Sequence, residues 1–193
     1  MLLSNSNLFG ATKQAVFLDR DGTINIEKDY LFKPEDFEFT TGAVEAIRMF
    51  NEAGYLVIVV TNQSGVARGY YKESDVIHLH KYIDQLLQAK GARVDSWYYC
   101  PHHPDGIYPY NKICNCRKPM PGMLKQAAAE HSIQLSKSWM VGDKMADVEA
   151  GLAAGCRSLL VLTGYGSEIV DELDSDIPVC ENLMTAATLI TSV

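Results

Sequence analysis

Residues 15–23, Ala-Val-Phe-Leu-Asp-Arg-Asp-Gly-Thr, decide the reading of the fold. Four apolar residues, Ala15 to Leu18, have strand character and run straight into Asp19, Arg20 and Asp21. Short β-branched runs followed by amphipathic segments recur downstream, which predicts an α/β fold with a mainly parallel sheet. Outward from this strand, a long polar loop leads to a helix over 43–53, with Thr41 as candidate N-cap and Gly54 as its stop. Leu56 to Val60 is an unbroken apolar run, as a strand buried on both faces requires. A helix is expected over 75–90, with Val76, Ile83, Leu86 and Leu87 at helical spacing and Gly91 as its end. Further strands are expected over 94–99, 138–141 and 158–162, and helices over 121–130 and 147–154. A short strand and a last helix to Leu189 should follow Pro178. No repeat or linker interrupts the pattern, so 1–193 is read as one domain, a Rossmann-like three-layer sandwich.

Composition bounds the function. The chain has 193 residues, 47% hydrophobic and 21% charged, which excludes collagen-like, coiled-coil and disordered classes. Its charge, 17 − 24 = −7, argues against nucleic acid as a partner, because phosphate backbones reward clustered Lys and Arg. No apolar run approaches the roughly 20 residues that cross a bilayer, so no membrane partner is expected. Residues 1–14 lack a charged n-region, a long apolar core and any Arg, so 1–13 is read as a loosely ordered lead-in, not a targeting segment. The expected location is therefore cytoplasmic, where the five cysteines stay reduced.

Sites in open α/β sheets form beyond the carboxyl ends of strands, and four such places carry complementary polar groups. They are Asp19-Arg-Asp21-Gly22-Thr23, Thr61-Asn62-Gln63-Ser64-Gly65, Lys118 ahead of a helix, and Gly142-Asp143-Lys144-Met-Ala-Asp147. Taken singly, Asp19 or Asp143 is equally well read as a cap or turn carboxylate. Gathered, Asp19, Asp21 and Asp143 would repel one another without a cation, and their hard oxygens suit Mg²⁺. Thr61 offers a hydroxyl and Lys118 a charge for phosphate oxygens, and backbone N–H groups near Asp21 and Gly22 are expected to face the same phosphate. Such a set suits phosphoryl transfer, where positioning and charge neutralisation dominate.

The segment 100–118 fits no regular element. Cys100-x-His102 followed by Cys114-x-Cys116 gives four ligands of a type that closes tetrahedral Zn²⁺ sites, with His103 as a competing ligand. Packed or surface thiols remain the alternative on spacing alone. Cys156 and Cys180 are read as core thiols, and His78, His80 and His131 as helix residues without a role. The Tyr70-Tyr71 and Tyr98-Tyr99 pairs are read as packing.

The motifs AVFLDRDGT, LVIVVTNQSG, Lys118 in CRKP, and MVGDKMAD resemble the four signature motifs of the haloacid dehalogenase superfamily of phosphatases. TNQSGVARGYY, CPHHP, CNCRKPMPGM and GDKMAD further resemble the D-glycero-D-manno-heptose 1,7-bisphosphate 7-phosphatase branch, which is related to histidinol-phosphatases. The resemblance implies Asp19 as a nucleophile forming an aspartyl-phosphate, and Asp21 as the acid and base serving the leaving oxygen and then water. It implies Mg²⁺ on the Asp19 carboxylate, the Asp21 backbone carbonyl and Asp143, with Asp147 orienting Lys118. Asn62, Gln63 and Ser64 beside Thr61, and Glu27 and Tyr30 in the loop EKDY, are carried over as substrate contacts. A structural Zn²⁺ on Cys100, His102, Cys114 and Cys116 is implied too, ordering the loop that carries Arg117 and Lys118. The implied pathway is nucleotide-activated heptose synthesis for lipopolysaccharide.

Neither long gap, after the first strand or before Lys118, can hold a cap with its own core, since independent folding takes at least ~40 residues. An uncapped, open site fits a phosphorylated sugar with a second phosphate, for which Arg117 and Lys144 are the candidates. Resemblance alone makes the protein a monomer. The rival substrate is histidinol phosphate, and the rival of another class is a zinc-stabilised binding module without catalysis. A nucleic-acid 3′-phosphatase sits badly with the acidic charge.

Overall fold

The computed structural model describes residues 12–192, so most of the lead-in expected over 1–13 lies outside the described residues. Six parallel strands form one sheet in the order β3-β2-β1-β4-β5-β6. They are β1 (Ala15–Leu18), β2 (Leu56–Asn62), β3 (Ser96–Cys100), β4 (Trp139–Gly142), β5 (Arg157–Val161) and β6 (Val179–Cys180). The helices are α1 (Ala43–Glu52), α2 (Glu73–Ala89), α3 (Gly122–His131), α4 (Met145–Ala154), the short α5 (Gly166–Ile169) and α6 (Leu183–Thr191).

Side-chain alternation sorts the sheet into two apolar faces. Val16, Leu18, Val57, Val59 and Val141 pack with α1, α2 and α6, while Ala15, Phe17, Ile58, Val60 and Met140 pack with α3 and α4. Three layers result, as the two-sided hydrophobicity of the strands requires. The connection from β3 through α3 returns across the sheet to pair β4 with β1, at the register Leu18↔Val141. Strand order reverses between β1 and β4, which is where such sheets open a crevice for ligands.

Every expected strand and helix is present, with no end displaced by more than two residues. Thr41 is not the N-cap of α1: Gly42, at φ 78°, holds that place, because the chain must turn through a left-handed conformation to enter the helix. α2 and α4 both start two residues before the sequence pattern begins. In each, an aspartate taken as the first helical residue sits at N3 and reaches back: Asp75 accepts from Lys72 N at 2.8 Å, and Asp147 from Lys144 N at 3.0 Å. Pro121 precedes α3 as its cap and is not its first residue. Between β1 and α1 the described chain carries the 3₁₀ turn Pro34–Asp36 and isolated bridges from Asn25 to Asp21 and Phe39, and between β3 and α3 it is irregular throughout, so neither insertion is a cap domain.

Candidate active site

At the carboxyl ends of β1, β2 and β4 lies a cleft of about 330 Å³, lined among others by Asp19, Asp21, Thr61, Lys118, Lys144 and Asp147. β1 delivers Asp19 directly, its N–H bonded to Val141 O of β4 at 3.0 Å. The chain then folds over Arg20, whose carbonyl accepts from Ile24 N at 2.8 Å and Asn25 N at 3.1 Å. Gly22 makes the turn at φ 81°, and a Cβ there would stand 2.2 Å from Asp143 Oδ2. Its own N–H is spent on Asn25 O at 2.8 Å, so the expectation that this group faces phosphate is corrected: the turn consumes the donor.

Lys118 is buried, its ammonium donating to Val60 O at 2.7 Å and ion-paired with Asp147 Oδ1 at 2.6 Å and Asp19 Oδ1 at 2.8 Å. Burial opposes its charge, but Asp147 and Asp19 overcome this and raise its pKa. Asn62 fixes the backbone of Lys118, donating to its carbonyl and accepting from its N–H, both at 3.0 Å. Asp143 is fully buried. Its Oδ2 accepts from Tyr165 N at 2.9 Å, and Oδ1 has no hydrogen-bond donor. Burial, then Asp19 and Asp147, push its carboxyl up to about 8. Asp147 is raised to about 6, by burial and Asp19 against the pull of Lys118.

Carboxylate oxygens of Asp19, Asp143 and Asp147 lie within 4.8 Å of one another. The orphaned Asp143 Oδ1, and Asp19 Oδ1 with only the off-axis Lys118 ammonium beside it, mark a place that accepts a hard cation. Mg²⁺ fits this donor set; with Asp147 tied to Lys118, the oxygens of Asp19 and Asp143 are the ones left to hold it.

Asp21 is held differently. Arg20 forks onto it, Nε at 3.1 Å and Nη2 at 2.8 Å from Oδ1, while Asn25 Nδ2 donates to Oδ1 at 3.0 Å and Gln63 Nε2 to Oδ2 at 2.9 Å. Burial would raise its pKa, but the Arg20 charge and these donors bring it below the ordinary value. Gln63 also donates to Thr61 Oγ1 at 2.9 Å, which leaves the Thr61 hydroxyl proton free for a phosphate oxygen.

The outer wall joins separate loops. Lys144 Nζ pairs with Glu27 at 2.9 Å and stands 4.7 Å over the Tyr165 ring. Asp19, Asp143 and Glu27 outweigh burial and raise the Lys144 pKa. Asp29 and Tyr30 adopt left-handed φ angles of 43° and 58°, and Tyr30 meets Tyr70 edge-on at 4.9 Å. Ser64 and Asn62 line the floor. Arg117 is not in the cleft wall; it donates to His102 O at 3.3 Å, inside its own loop. Sequence reading missed Arg20, Asp29, Tyr71 and Tyr165. Tyr71 is no mere packing residue, since its hydroxyl donates to Gln63 Oε1 at 2.8 Å and so steadies a partner of Asp21. Tyr165 stands beyond the end of β5, where the strand-end rule would have found it.

In the 100–118 loop, Cys116 Sγ lies 3.1 Å from both Cys100 Sγ and Cys114 Sγ, and 3.3 Å from His102 Nδ1. Ligands on one tetrahedral Zn²⁺, with Zn–S about 2.3 Å, stand ~3.7 Å apart, so the cluster has the composition and nearly the dimensions of a closed zinc site. His103 turns away, towards Arg68 and Asp105. Cys156 and Cys180 are buried in the core.

Residues 115–186 match the family model described as "HAD-hyrolase-like". The chain is 46% identical over 153 residues to the D-glycero-beta-D-manno-heptose-1,7-bisphosphate 7-phosphatase of Pasteurella multocida, covering 79% of this chain and 83% of that protein. It is 42% identical over 179 residues to the D-glycero-alpha-D-manno-heptose-1,7-bisphosphate 7-phosphatase of Photorhabdus laumondii, covering 92% and 96%. The crystal structure of the D,D-heptose 1,7-bisphosphate phosphatase from B. bronchiseptica, complexed with magnesium and phosphate, superposes with a TM-score of 0.84 at 34% identity, covering 93% of this chain and 98% of that one. The chain belongs to the heptose-1,7-bisphosphate 7-phosphatase family of haloacid dehalogenase-like hydrolases.

Proposed function

We propose that this chain is a Mg²⁺-dependent phosphatase removing the C7 phosphate of D-glycero-D-manno-heptose 1,7-bisphosphate, a step of nucleotide-activated heptose synthesis. The observation that carries the reading is two carboxylates at one cleft in opposite settings. Asp19 sits against the buried Lys118 ammonium, and Asp21 is held by the Arg20 fork. A carboxylate beside the cation site suits attack on phosphorus; a second one beside it, fixed by its own fork of donors and clear of that site, suits proton transfer.

In the first displacement an Asp19 oxygen bonds phosphorus, the bond from phosphorus to the C7 oxygen breaks, and Asp21 gives that oxygen a proton. In the second, water attacks the phosphoryl group, Asp21 takes its proton, and inorganic phosphate leaves Asp19. Lys118 and the Thr61 hydroxyl hold the equatorial oxygens as charge moves among them. Asp19, Asp143 and the Asp21 carbonyl would hold Mg²⁺, which when bound would neutralise charge on the phosphoryl group. Because Asp21 is held ionised in the free site, its proton must come with substrate docking, when the phosphate's negative charge raises its affinity. Glu27, Tyr30, Asn62, Ser64 and Lys144 contact the sugar, and Lys144 with Arg117 reads the second phosphate once Arg117 leaves the His102 carbonyl. Zn²⁺ on Cys100, His102, Cys114 and Cys116 orders the loop behind Lys118. One domain, a monomer and a cytoplasmic location complete the proposal. No helix among the described residues is long and apolar enough to cross a membrane.

Phosphate release with Mg²⁺, comparing kcat/KM for both anomers of heptose 1,7-bisphosphate and for histidinol phosphate, tests the assignment. A preference of about 100-fold or more for a bisphosphate, abolished in Asp19→Asn, is expected. A preference for histidinol phosphate overturns the substrate, and full turnover by Asp19→Asn overturns the nucleophile.

A further inference from the structure

Arg20 is an unusual residue to find at the end of a central strand, because its side chain is 1% exposed. A buried guanidinium needs acceptors for its N–H groups. Nε and Nη2 find theirs on Asp21, and Nη2 also reaches Leu31 O at 2.9 Å. Nη1 points the other way, to His80 Nε2 at 3.4 Å, across 60 residues of sequence. His80 lies on the buried side of α2, and its ring stacks on Trp97 with centroids 4.3 Å apart and planes at 21°. Trp97 is fixed in turn, its indole N–H donating to Asp84 Oδ1 at 2.9 Å, and Tyr99 closes on the imidazole edge-on at 6.0 Å. The ring therefore has no room to swing.

We propose that His80 is a positioning residue for proton transfer: clamped on Trp97, it accepts from Arg20 Nη1 and holds the guanidinium whose other edge orients Asp21. The inference rests on the reading of Asp21 as the acid that serves the leaving oxygen. An imidazole nitrogen accepts only when unprotonated, and here burial first, then the Arg20 charge, disfavour protonation of His80; accepting at Nε2 then requires the tautomer with its proton on Nδ1. Without that acceptor a buried N–H loses its partner, and the guanidinium is free to turn about its Nε–Cζ axis towards another. Asn25 and Gln63 keep Asp21 in place. Its aim is then set by two neutral donors instead of a fixed fork.

Leaving-group chemistry separates this role from plain support of the fold. An alkyl phosphate needs a proton on its departing oxygen, whereas p-nitrophenyl phosphate releases a stable phenolate and needs none. The Mg²⁺-loaded enzyme and its His80→Ala, His80→Gln, Asp21→Asn and His78→Ala variants would be compared by kcat/KM on heptose 1,7-bisphosphate and on p-nitrophenyl phosphate, below each variant's thermal midpoint. His80→Ala should lose about tenfold on the sugar phosphate and less than about twofold on the aryl phosphate. His80→Gln, whose amide oxygen can replace the ring acceptor, should recover most of the loss, and His78→Ala, on the exposed face of the same helix, should show none. Equal losses on both substrates in His80→Ala, or none on either, overturn the proposal while a selective loss in Asp21→Asn leaves the acid reading standing. Equal losses in Asp21→Asn remove the acid role itself, and the proposal with it.

Discussion

Gly22 shows how little freedom single positions near the cleft retain. It combines a φ of 81° with the carboxylate of Asp143 packed where its side chain would start. Gly22→Ala imposes about 1–2 kcal/mol of left-handed strain. It also displaces Asp143, whose Oδ2 would be 2.2 Å from the new carbon. The variant should lose at least about tenfold in kcat/KM and need more Mg²⁺ for half-maximal rate, because a displaced cation ligand weakens both binding and charge neutralisation. A magnesium titration of initial rates checks this; an unchanged half-saturating concentration would disconnect Asp143 from the metal. At this scale, what the sequence makes legible follows strand ends. Asp19, Thr61 and Asp143 stand out because each comes at the end of an apolar run; the structure brings Asp19 and Thr61 to one crevice and buries Asp143 beside Asp19. Arg20 does not stand out, because a charge between two aspartates reads as loop polarity. Its burial depends on acceptors from Leu31 and His80, which no local pattern reveals.

Among the elements, the 101–121 loop does the least folding by itself and carries the most chemistry. It has no helix or strand, yet its end positions Lys118 between Asp19 and Asp147. Its order rests on the Cys and His cluster at one end and the paired Asn62–Lys118 backbone bonds at the other. Cys114 and Cys116 are tied through it to Cys100, the last residue of β3, which pairs with Asn62 of β2. The expected result is about one Zn²⁺ per chain by elemental analysis. Cys116→Ser should bind less zinc, melt several degrees lower and lose roughly tenfold or more in kcat/KM, mostly through kcat, as Lys118 becomes less well placed. A zinc-free chain with unchanged melting and rate would show that the Asn62 bonds suffice. The irregular course of the loop and the gathering of Cys100, His102, Cys114 and Cys116 were legible from composition and spacing. The position of Arg117 was not, because a side chain leaving an irregular backbone has no period to fix its direction.

Over the whole molecule, function works against stability. The sheet brings β1 and β4 together at the point where strand order reverses, and so forces Asp19, Asp143 and Asp147 into one buried volume. That outcome was foreseeable from alternating elements and strand-end carboxylates; the degree of burial was not, since it depends on Gly22 and Gly164 packing against Asp143. The cost has a definite sign in pH. Asp143 is raised to about 8 and Asp147 to about 6, from an unfolded value near ~3.9. Between about pH 4 and 8 the native state then holds more protons than the unfolded chain, so unfolding free energy falls as pH rises. Lowered Asp21 acts only below about pH 4, and raised Lys118 only above about pH 10, outside this window. Neutral, buried His80 works in the opposite sense below about pH 6.5, where the unfolded chain takes a proton that the native state refuses. A chelated sample should therefore melt at higher temperature as pH is lowered from 9 to 7. Mg²⁺ binds the ionised carboxylates, so the increment in melting temperature that it adds should be greatest near pH 9 and shrink towards pH 7. Asp143→Asn removes one charge from the cluster while keeping a carbonyl to accept from Tyr165. It should melt above the chelated parent at pH 8, respond little to Mg²⁺ and turn over at least about 100-fold more slowly. A magnesium increment independent of pH, or an Asn variant less stable than the chelated parent, would mean that these carboxylates are not the molecule's store of repulsion. The expected pattern would identify the cation as the partner for which the fold tolerates them.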